Sequence, residues 1–171
     1  VKAAFGLYEK LPEPRYMIEV GGNPYLKTEK STQYVIGFEQ TFTDLVNLDI
    51  QGFYTHRSRL RQDSNNSVVE PNGDVRSEVY NNGGRGHTIG LQLLLRHDLA
   101  PGGRFFGWIS YTLSRSVVTN SNIGFLETDA QQNDGILRRE RKTYTYLSDF
   151  DQPHILTIVA QWVLSKGWEA G

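Results

Sequence analysis

The sequence has no cysteine, no long apolar run and almost no net charge. Its 171 residues include 18 Lys and Arg against 19 Asp and Glu, which gives a formal net charge of -1. Without cysteine there is no disulfide framework, no catalytic thiolate and no cysteine-ligated zinc. Since no stretch reaches the roughly 18 apolar residues of a membrane-crossing helix, transmembrane helices are excluded. The balanced charge creates no overall field that would attract nucleic acid, and we predict no nucleic-acid partner.

The residues that are abundant form strands and turns. Aromatic residues make up 12% of the chain, with 9 Tyr, and there are 17 Gly. In place of long apolar runs, the chain repeatedly alternates apolar with small or polar residues. This two-residue period is typical of β-strands that have one apolar face.

The clearest alternation lies between Tyr80 and Ser116. Two runs of about a dozen residues are joined by a short Pro/Gly link at His97–Gly103, which predicts an antiparallel hairpin. Ordinary strands have about 5–6 residues, whereas strands that cross a membrane need about 9–11. The apolar positions that share one face are Ile89, Leu91, Leu93 and Leu95 in the first run, and Phe105, Gly107, Ile109, Tyr111 and Leu113 in the second.

Other segments repeat this pattern. Gln33–Phe42 and Leu48–Thr55 predict a second long hairpin, Pro153–Leu164 a further strand, and Val1–Glu9 the end of another. In the Pro153–Leu164 run, we expect Leu156, Ile158, Ala160, Trp162 and Leu164 to face outward.

The connections alternate between long and short. Pro, Gly and Asn punctuate the long ones, which we predict to be irregular, with a short strand near Val75–Tyr80. A membrane barrel has short turns at one rim and long loops at the other, an asymmetry that soluble sandwiches lack. The long connections are Leu11–Ser31, Arg57–Gly86 and Val117–Asp151, and the short ones are Thr43–Asn47, His97–Gly103 and Ser165–Gly167.

These features predict an all-β fold: a section of an antiparallel transmembrane β-barrel, built of long meander hairpins with short periplasmic turns and long extracellular loops. In lipid every backbone polar group must be paired, which requires a closed barrel. We count about six strands and part of a seventh, fewer than the roughly 8 of the smallest membrane barrels. Residues 1–171 are therefore predicted to be part of a single outer-membrane barrel domain whose remaining strands lie outside this chain.

Two groups of residues are candidates for a functional role. We expect aromatic residues near strand ends to anchor the barrel at the lipid–water interface. These are Tyr34, Tyr54, Tyr111, Trp162 and Trp168, whereas Trp108 is expected to face the lumen. The basic run that contains Arg138, Arg139 and Arg141 is either a solvated loop or a contact for an anionic ligand or for lipopolysaccharide phosphates.

The titratable residues do not predict a metal site or an enzyme. His56, His87, His97 and His154 lie in separate strands or turns without metal-ligand spacing. Ser148, Asp149, Asp151 and His154 contain the residue types of a hydrolytic site, but nothing places a nucleophile beside a base. Gly83–Gly86 lacks the Lys-Ser/Thr of a phosphate loop and is predicted to be a turn that leads into a strand. We predict no catalytic residues, no cofactor and no metal.

Successive phrases of the chain resemble the TonB-dependent receptors of Gram-negative outer membranes, and they occur in that family's order. The resemblance covers most of the chain and corresponds to the later part of the family's barrel. The matching phrases are Gly22–Glu29 (GNPYLKTE), Gln33–Gln40 (QYVIGFEQ), Leu48–Tyr54 (LDIQGFY), Gly84–Leu91 (GRGHTIGL), Gly107–Ser114 (GWISYTLS) and Phe150–His154 (FDQPH).

This resemblance implies a function and a set of partners. In that family a 22-stranded barrel encloses an N-terminal plug domain and imports scarce ligands with energy from TonB. The resemblance thus implies an integral outer-membrane receptor that contacts membrane lipid and lipopolysaccharide, a plug domain, TonB and an unknown small ligand such as a siderophore, metal complex, cobalamin or glycan. The alternatives are a passive outer-membrane channel and a structural or binding β-protein such as a soluble sandwich module.

Overall fold

The computed structural model describes residues 1–18, 22–69, 72–127, 138–164 and 169–170. These residues form eight strands and one short 3-10 turn at Pro14–Tyr16. The strands are β1 (Lys2–Lys10), β2 (Glu29–Thr43), β3 (Val46–Val69), β4 (Val75–His97), β5 (Phe105–Glu127), β6 (Arg138–Leu147), β7 (His154–Val163) and β8 (Glu169–Ala170). Within these ranges there is no helix long and apolar enough to cross a membrane.

The strands form one antiparallel sheet. Strands β1 to β5 pair in chain order, and each strand is hydrogen-bonded to the next. Strand β5 then pairs with β6 along one half and with β7 along the other, and β7 pairs with β8. The fold class is thus the predicted one, an antiparallel meander of long hairpins. Within the described residues the sheet stays open, because no ladder joins β8 to β1.

The short connections lie together at one rim of the sheet. Strands β2 and β3 are joined by the two-residue turn Asp44–Leu45, and the Leu45 carbonyl accepts a hydrogen bond of 2.7 Å from the Asp98 N–H in the next short connection. That second connection turns at Gly102, whose φ of +73° lies in the left-handed region that glycine adopts without strain. The third predicted turn, Ser165–Gly167, lies outside the described residues.

The predicted long loops contain more strand than the sequence indicated. Most of Arg57–Gly86 was expected to be irregular, but β3 continues to Val69 and β4 begins at Val75. Gly83–Gly86 is accordingly part of β4 and not a turn. The sequence of this extension has polar residues at both odd and even positions. The strands therefore continue where the sequence no longer alternates apolar with polar residues. Three shifts of register interrupt this ladder, and Arg59 lies within the first with a φ of +58°.

The predicted gap from Val117 to Asp151 also contains strand. Strand β5 runs on to Glu127, and β6 pairs with that extension from Leu147 outward. Between β6 and β7 the chain leaves the ladder for six residues, 148–153. Hydrogen bonds hold this excursion against β5, from the Ser148 N–H to the Ser116 carbonyl (2.9 Å) and from the Ser114 N–H to the Pro153 carbonyl (3.0 Å).

The sheet has very little interior of its own. Leu26 is the one buried hydrophobic residue among those described, and no described side chain is completely enclosed. Large apolar residues are instead exposed, such as Ile36 at 65% and Ile158 at 62%. A soluble sandwich buries one face of each sheet against a second sheet, whereas all the described strands belong to a single sheet. The sandwich alternative therefore does not describe this fold.

Candidate functional site

One face of the sheet carries a continuous apolar band. In β3, β4 and β5 the register aligns Ile50 with Leu93, Leu93 with Tyr111, Leu48 with Leu95 and Leu95 with Ile109. Because side chains alternate between the two faces, these residues share one face. The same face carries Phe5, Ile36 and Phe38 on β1 and β2, and Leu156, Ile158, Ala160 and Trp162 on β7. The predicted alternation of the two long hairpins and of the last strand is thus confirmed.

The apolar band crosses the hydrogen-bonded rows obliquely. Two rows of residues that are paired across adjacent strands show this oblique course. They are Phe5–Tyr34–Tyr54–Ile89–Arg115, from β1 to β5, and Gln40–Leu48–Leu95–Ile109–Ile158, from β2 to β7. The first row is apolar at β1 and ends in a charge at β5, whereas the second begins with a polar residue at β2 and is apolar at β7. If the band follows a flat lipid layer, the strands must tilt, as membrane barrels do by roughly 35–45°.

Four of the five predicted interface aromatics lie near the ends of this band. Tyr34 and Tyr54 occupy its last positions on the side of the long extensions, with ring centroids 6.4 Å apart. On β5 the band ends at Leu113, and Tyr111 is the outward-facing residue just before it. The Tyr111 hydroxyl is 2.8 Å from His154 Nδ1. Trp162 packs against Phe105 near the rim of short turns, at 5.7 Å between ring centroids. Trp168 lies outside the described residues, and anchoring in lipid stays a prediction for all five.

The opposite face is polar and carries small residues. Here Lys2 forms ion pairs with Asp49 and, at 3.8 Å, with Glu39. Farther along the strands, Arg57 Nη2 donates a hydrogen bond of 2.8 Å to Ser116 Oγ, which also accepts one of 2.9 Å from Thr88 Oγ1. A hydrated face beside an apolar face is the arrangement of a barrel wall with a polar lumen. Trp108, opposite Arg96, lies on this face as predicted.

The connection between β1 and β2 folds back onto this polar face. Asn82 holds it to the wall with two hydrogen bonds to Lys27: its Oδ1 accepts from the Lys27 N–H (2.7 Å), and its Nδ2 donates to the Lys27 carbonyl (3.0 Å). The same Nδ2 also donates to the Arg59 carbonyl of β3 (2.9 Å). The buried Asn23 adds a hydrogen bond of 2.7 Å to the Tyr80 carbonyl. From the sequence this segment is predicted only to be a loop. Asn23 and Asn82 bond backbone groups far away in the chain, and the sequence cannot distinguish such asparagines from those that form turns.

A small cavity lies beneath that connection. Its volume is about 220 Å³, and Tyr16, Arg61, Asn120 and Tyr146 are among the residues that line it. The Arg61 guanidinium is 3.8 Å from the centre of the Tyr16 ring and 5.0 Å from that of Tyr80. The two rings meet edge to face at 5.1 Å. This stack joins the connection to both strands of the β3–β4 extension, and Arg61 and Tyr16 give the cavity a cationic and aromatic wall.

The predicted basic contact lies in a strand. Arg138, Arg139 and Arg141 pair with Glu127, Leu126 and Gly124 of β5, so their backbone is not the loop that the sequence indicated. The 10 residues of β6 extend the ladder by about 30 Å, which places the basic run far from the apolar band. The side chains of these three arginines lie outside the described part of the structure, and their role stays a prediction.

The structure separates the residues that could have suggested a hydrolytic site. Asp151 Oδ1 accepts a hydrogen bond of 2.6 Å from the Ser116 N–H, whereas His154 bonds to Tyr111. Across the described residues, no hydrogen bond links His154 to Asp151 or to Ser148. Nor does the described part contain a group of three or more His, Asp or Glu residues close enough to hold a metal ion. His56 and His87 do face each other across β3 and β4, a pairing that their separation in sequence conceals.

One exposed ion pair lies beyond the end of the apolar band. Lys30 Nζ is 2.8 Å from Glu9 Oε1, and Thr28 Oγ1 donates to the other oxygen at 3.3 Å. The hydrogen bond and the charge of Lys30 hold the pKa of Glu9 below its usual range. Glu9 therefore stays ionised at neutral pH, with a cation already beside it.

The structure is a single antiparallel sheet with one apolar face, one polar face and a rim of tight turns. These features define a section of a β-barrel wall. A family model described as TonB dependent receptor-like, beta-barrel matches residues 3–169. The match covers nearly the whole chain, so the chain belongs to this family of TonB-dependent receptor barrels, as the resemblance indicated. The family consists of outer-membrane receptor and transport barrels. No curated protein matches the chain.

Proposed function

We propose that this chain forms part of the wall of an outer-membrane receptor that imports a scarce ligand with energy supplied through TonB. The observation that carries the proposal is the apolar band, which spans six adjacent strands and faces away from a polar surface. Family membership favours a receptor over a passive channel. Residues 1–171 would then lie within one barrel domain, with the plug domain and the remaining strands supplied by other parts of the protein.

The orientation follows from the two rims. Short turns of such barrels face the periplasm and long hairpins face the outside. On this basis Asp44–Leu45 is periplasmic, and the β3–β4 and β5–β6 extensions project from the cell. The cavity beneath the β1–β2 connection then opens toward the outer solvent, where an incoming ligand would arrive. A receptor of this kind needs no catalytic residues, and we propose no enzymatic activity for it.

Sidedness provides the test of this function. The chain has no cysteine of its own, so within this segment a thiol reagent can label only the single cysteine that is introduced. In intact cells a membrane-impermeant thiol reagent should label Asn72→Cys, in the β3–β4 connection, and should not reach Asp44→Cys. Asp44→Cys should become labelled once the outer membrane is opened. Equal labelling of both positions in intact cells would contradict the proposed orientation and the transport function that depends on it.

The basic run is the proposed contact for an anionic ligand. The test is growth in a medium where cells need the receptor, because this does not require the ligand to be known. Replacing Arg138, Arg139 and Arg141 together by Gln should slow TonB-dependent growth and leave the amount of assembled barrel unchanged. Arg104→Gln offers a single-residue control, since its exposed side chain lies at the rim of short turns, away from the basic run. If the triple variant grows like the parent receptor, these arginines do not contact the ligand.

A further inference from the structure

Four outward-facing side chains form a basic cluster just beyond the apolar band. The β4–β5 register runs without a shift from Arg85 to His97, and the β3–β4 register does so from His97 as far as Gly86, so the face of each residue follows from its neighbours. Ile89 and Leu113 end the band, and the next outward positions carry His87 and then Arg85 on β4, and Arg115 on β5. His56 of β3 lies directly opposite His87 and completes the group, which we call the outer basic cluster.

Three members of this cluster, His56, His87 and Arg115, are neighbours across the ladder, and Arg85 lies two residues beyond His87 on β4. Arg115 lies opposite Ile89, which is two residues from His87 on the same strand. Arg115 and His87 are thus diagonal neighbours on one face, a relation that places their Cα atoms about 7–8 Å apart. His87 also lies beside the Tyr54 ring, at 6.2 Å between ring centroids, and so adjoins the aromatic edge of the band.

The two arginines of the cluster have no acidic partner in the part of the chain that the structure describes. Throughout the described residues, the side chains of Arg85 and Arg115 take part in no hydrogen bond or ion pair, and both are exposed. Glu9, on the same face, is paired with Lys30. Asp151 lines the same depression as Arg115 and its Oδ1 accepts the Ser116 N–H, but the described residues show no ion pair between Asp151 and Arg115. The cluster therefore offers guanidinium groups to an external anion.

An open apolar depression begins at the cluster and runs into the band. Its volume is about 770 Å³, and Ile89, Leu91, Leu113 and Leu147 line it together with Arg115. A ligand that fills both features has an anionic head at the cluster and a hydrocarbon chain beside the leucines. Guanidinium groups bind phosphate through paired, charge-assisted hydrogen bonds. The hydrocarbon boundary of a membrane is where lipids present phosphates directly above acyl chains.

We propose that the outer basic cluster and this depression bind one phosphorylated glycolipid of the outer leaflet, with its phosphate on Arg115 and Arg85 and an acyl chain between Ile89, Leu91 and Leu113. The inference rests on the proposed function, because it takes this rim to be the outer one. It is distinct from the predicted role of Arg138, Arg139 and Arg141, which lie much farther from the band.

The test measures retention of lipid A by the full-length receptor. The receptor is placed in phosphatidylcholine nanodiscs, titrated with lipid A, and the bound lipid is counted by native mass spectrometry. The Arg85→Gln/Arg115→Gln variant should bind lipid A about tenfold more weakly than the parent receptor. The control Lys10→Gln/Lys27→Gln makes the same change of charge at exposed residues away from the cluster and should bind like the parent receptor.

Chemical controls separate phosphate recognition from general attraction to lipid. Dephosphorylated lipid A should bind the parent receptor and the arginine variant equally weakly. Equal binding of lipid A by the parent receptor and that variant would overturn the proposal, as would phosphatidylglycerol binding as tightly as lipid A. Thiol labelling of Asn72→Cys and Asp44→Cys reports separately on orientation, so failure of the proposed function can be told apart from failure of the lipid site.

Discussion

Two glycines, Gly90 and Gly52, lie in neighbouring strands at nearly the same level of the sheet but on opposite faces. Gly90 is opposite Phe53, whose ring covers it on the polar face. A Cβ at Gly90 would collide with that ring and would lie 2.9 Å from the Leu113 carbonyl oxygen. At Gly52 an added Cβ meets only a methyl of Ile36, at the ordinary contact distance of 3.8 Å. The two positions make a matched pair.

Gly90→Ala should therefore destabilise the barrel by about 1–3 kcal/mol, because the rigid Leu113 carbonyl cannot move aside as the Phe53 ring can. Gly52→Ala should be neutral or slightly stabilising. Urea titration of the full-length receptor folded in lipid vesicles measures both free energies of unfolding. Similar losses at the two glycines would show that Gly90 is not held by its contacts in the way described.

The same residue scale separates the lipid face from the lumen. Leu91→Arg places a charge in the middle of the apolar band and should cost about 2–4 kcal/mol of folding free energy in vesicles. Thr112→Arg, on the polar face of the adjoining strand, should cost much less because its side chain reaches water. Equal penalties for the two substitutions would mean that the faces are assigned wrongly.

At the scale of the element, the strands were easiest to predict where one face is apolar. The outward positions of Leu91, Ile109 and Ile158 were predictable because a buried or lipid-covered face selects apolar residues at every second position. Beyond the band this alternation stops: both faces of the β3–β4 extension are polar, so neither a two-residue period nor an apolar run marks it. Strand β6 was missed for a related reason, since its basic start and its separation from β7 by residues 148–153 suggested a loop.

The β1–β2 connection depends on Asn82 for its attachment to the wall. Asn82→Ala removes three hydrogen bonds and leaves one N–H and two carbonyls without their partner. Backbone amides of residues 22–28 should then exchange with solvent about tenfold faster or more, as followed by hydrogen–deuterium exchange of the full-length receptor. Asn72→Ala, at an exposed position in the β3–β4 connection, should leave this exchange unchanged.

If exchange over residues 22–28 does not change in Asn82→Ala, the connection is held mainly by Asn23 and the Tyr16–Arg61–Tyr80 stack. If Asn72→Ala changes it equally, the effect arises from the extension as a whole and not from the three bonds of Asn82.

At the scale of the whole molecule, the described strands form an open sheet with an exposed apolar face. Such a sheet presents unpaired edges and a large hydrophobic patch to water, and both promote aggregation. The isolated chain of residues 1–171 should therefore aggregate in plain buffer or require detergent, and it should show no cooperative thermal transition. A soluble monomer that melts sharply would contradict the assignment of this face to lipid.

How the strands assemble was only partly predictable from the sequence. The order of the matching phrases identified the family and the meander, because neighbouring strands of a barrel are neighbours in the chain. The return of the β1–β2 connection onto the polar face, the His56–His87 pair and the outer basic cluster depend on the register between strands. Register is a property of paired strands, so no single strand's sequence reveals which of its side chains meet those of the next.

The central claim is that one face of this sheet contacts lipid and the other faces a polar lumen, and a spin-label scan along β4 tests it most directly. A nitroxide is attached to single cysteines at positions 88, 89 and 91–95 in the full-length receptor in lipid bilayers. Gly90 is left out because its surroundings have no room for a side chain. Its collisions with oxygen, which concentrates in hydrocarbon, are compared with those of a polar nickel chelate. Oxygen should dominate at positions 89, 91, 93 and 95, and the chelate should gain at 88, 92 and 94. A profile without this two-residue period, or with the opposite phase, would contradict the account.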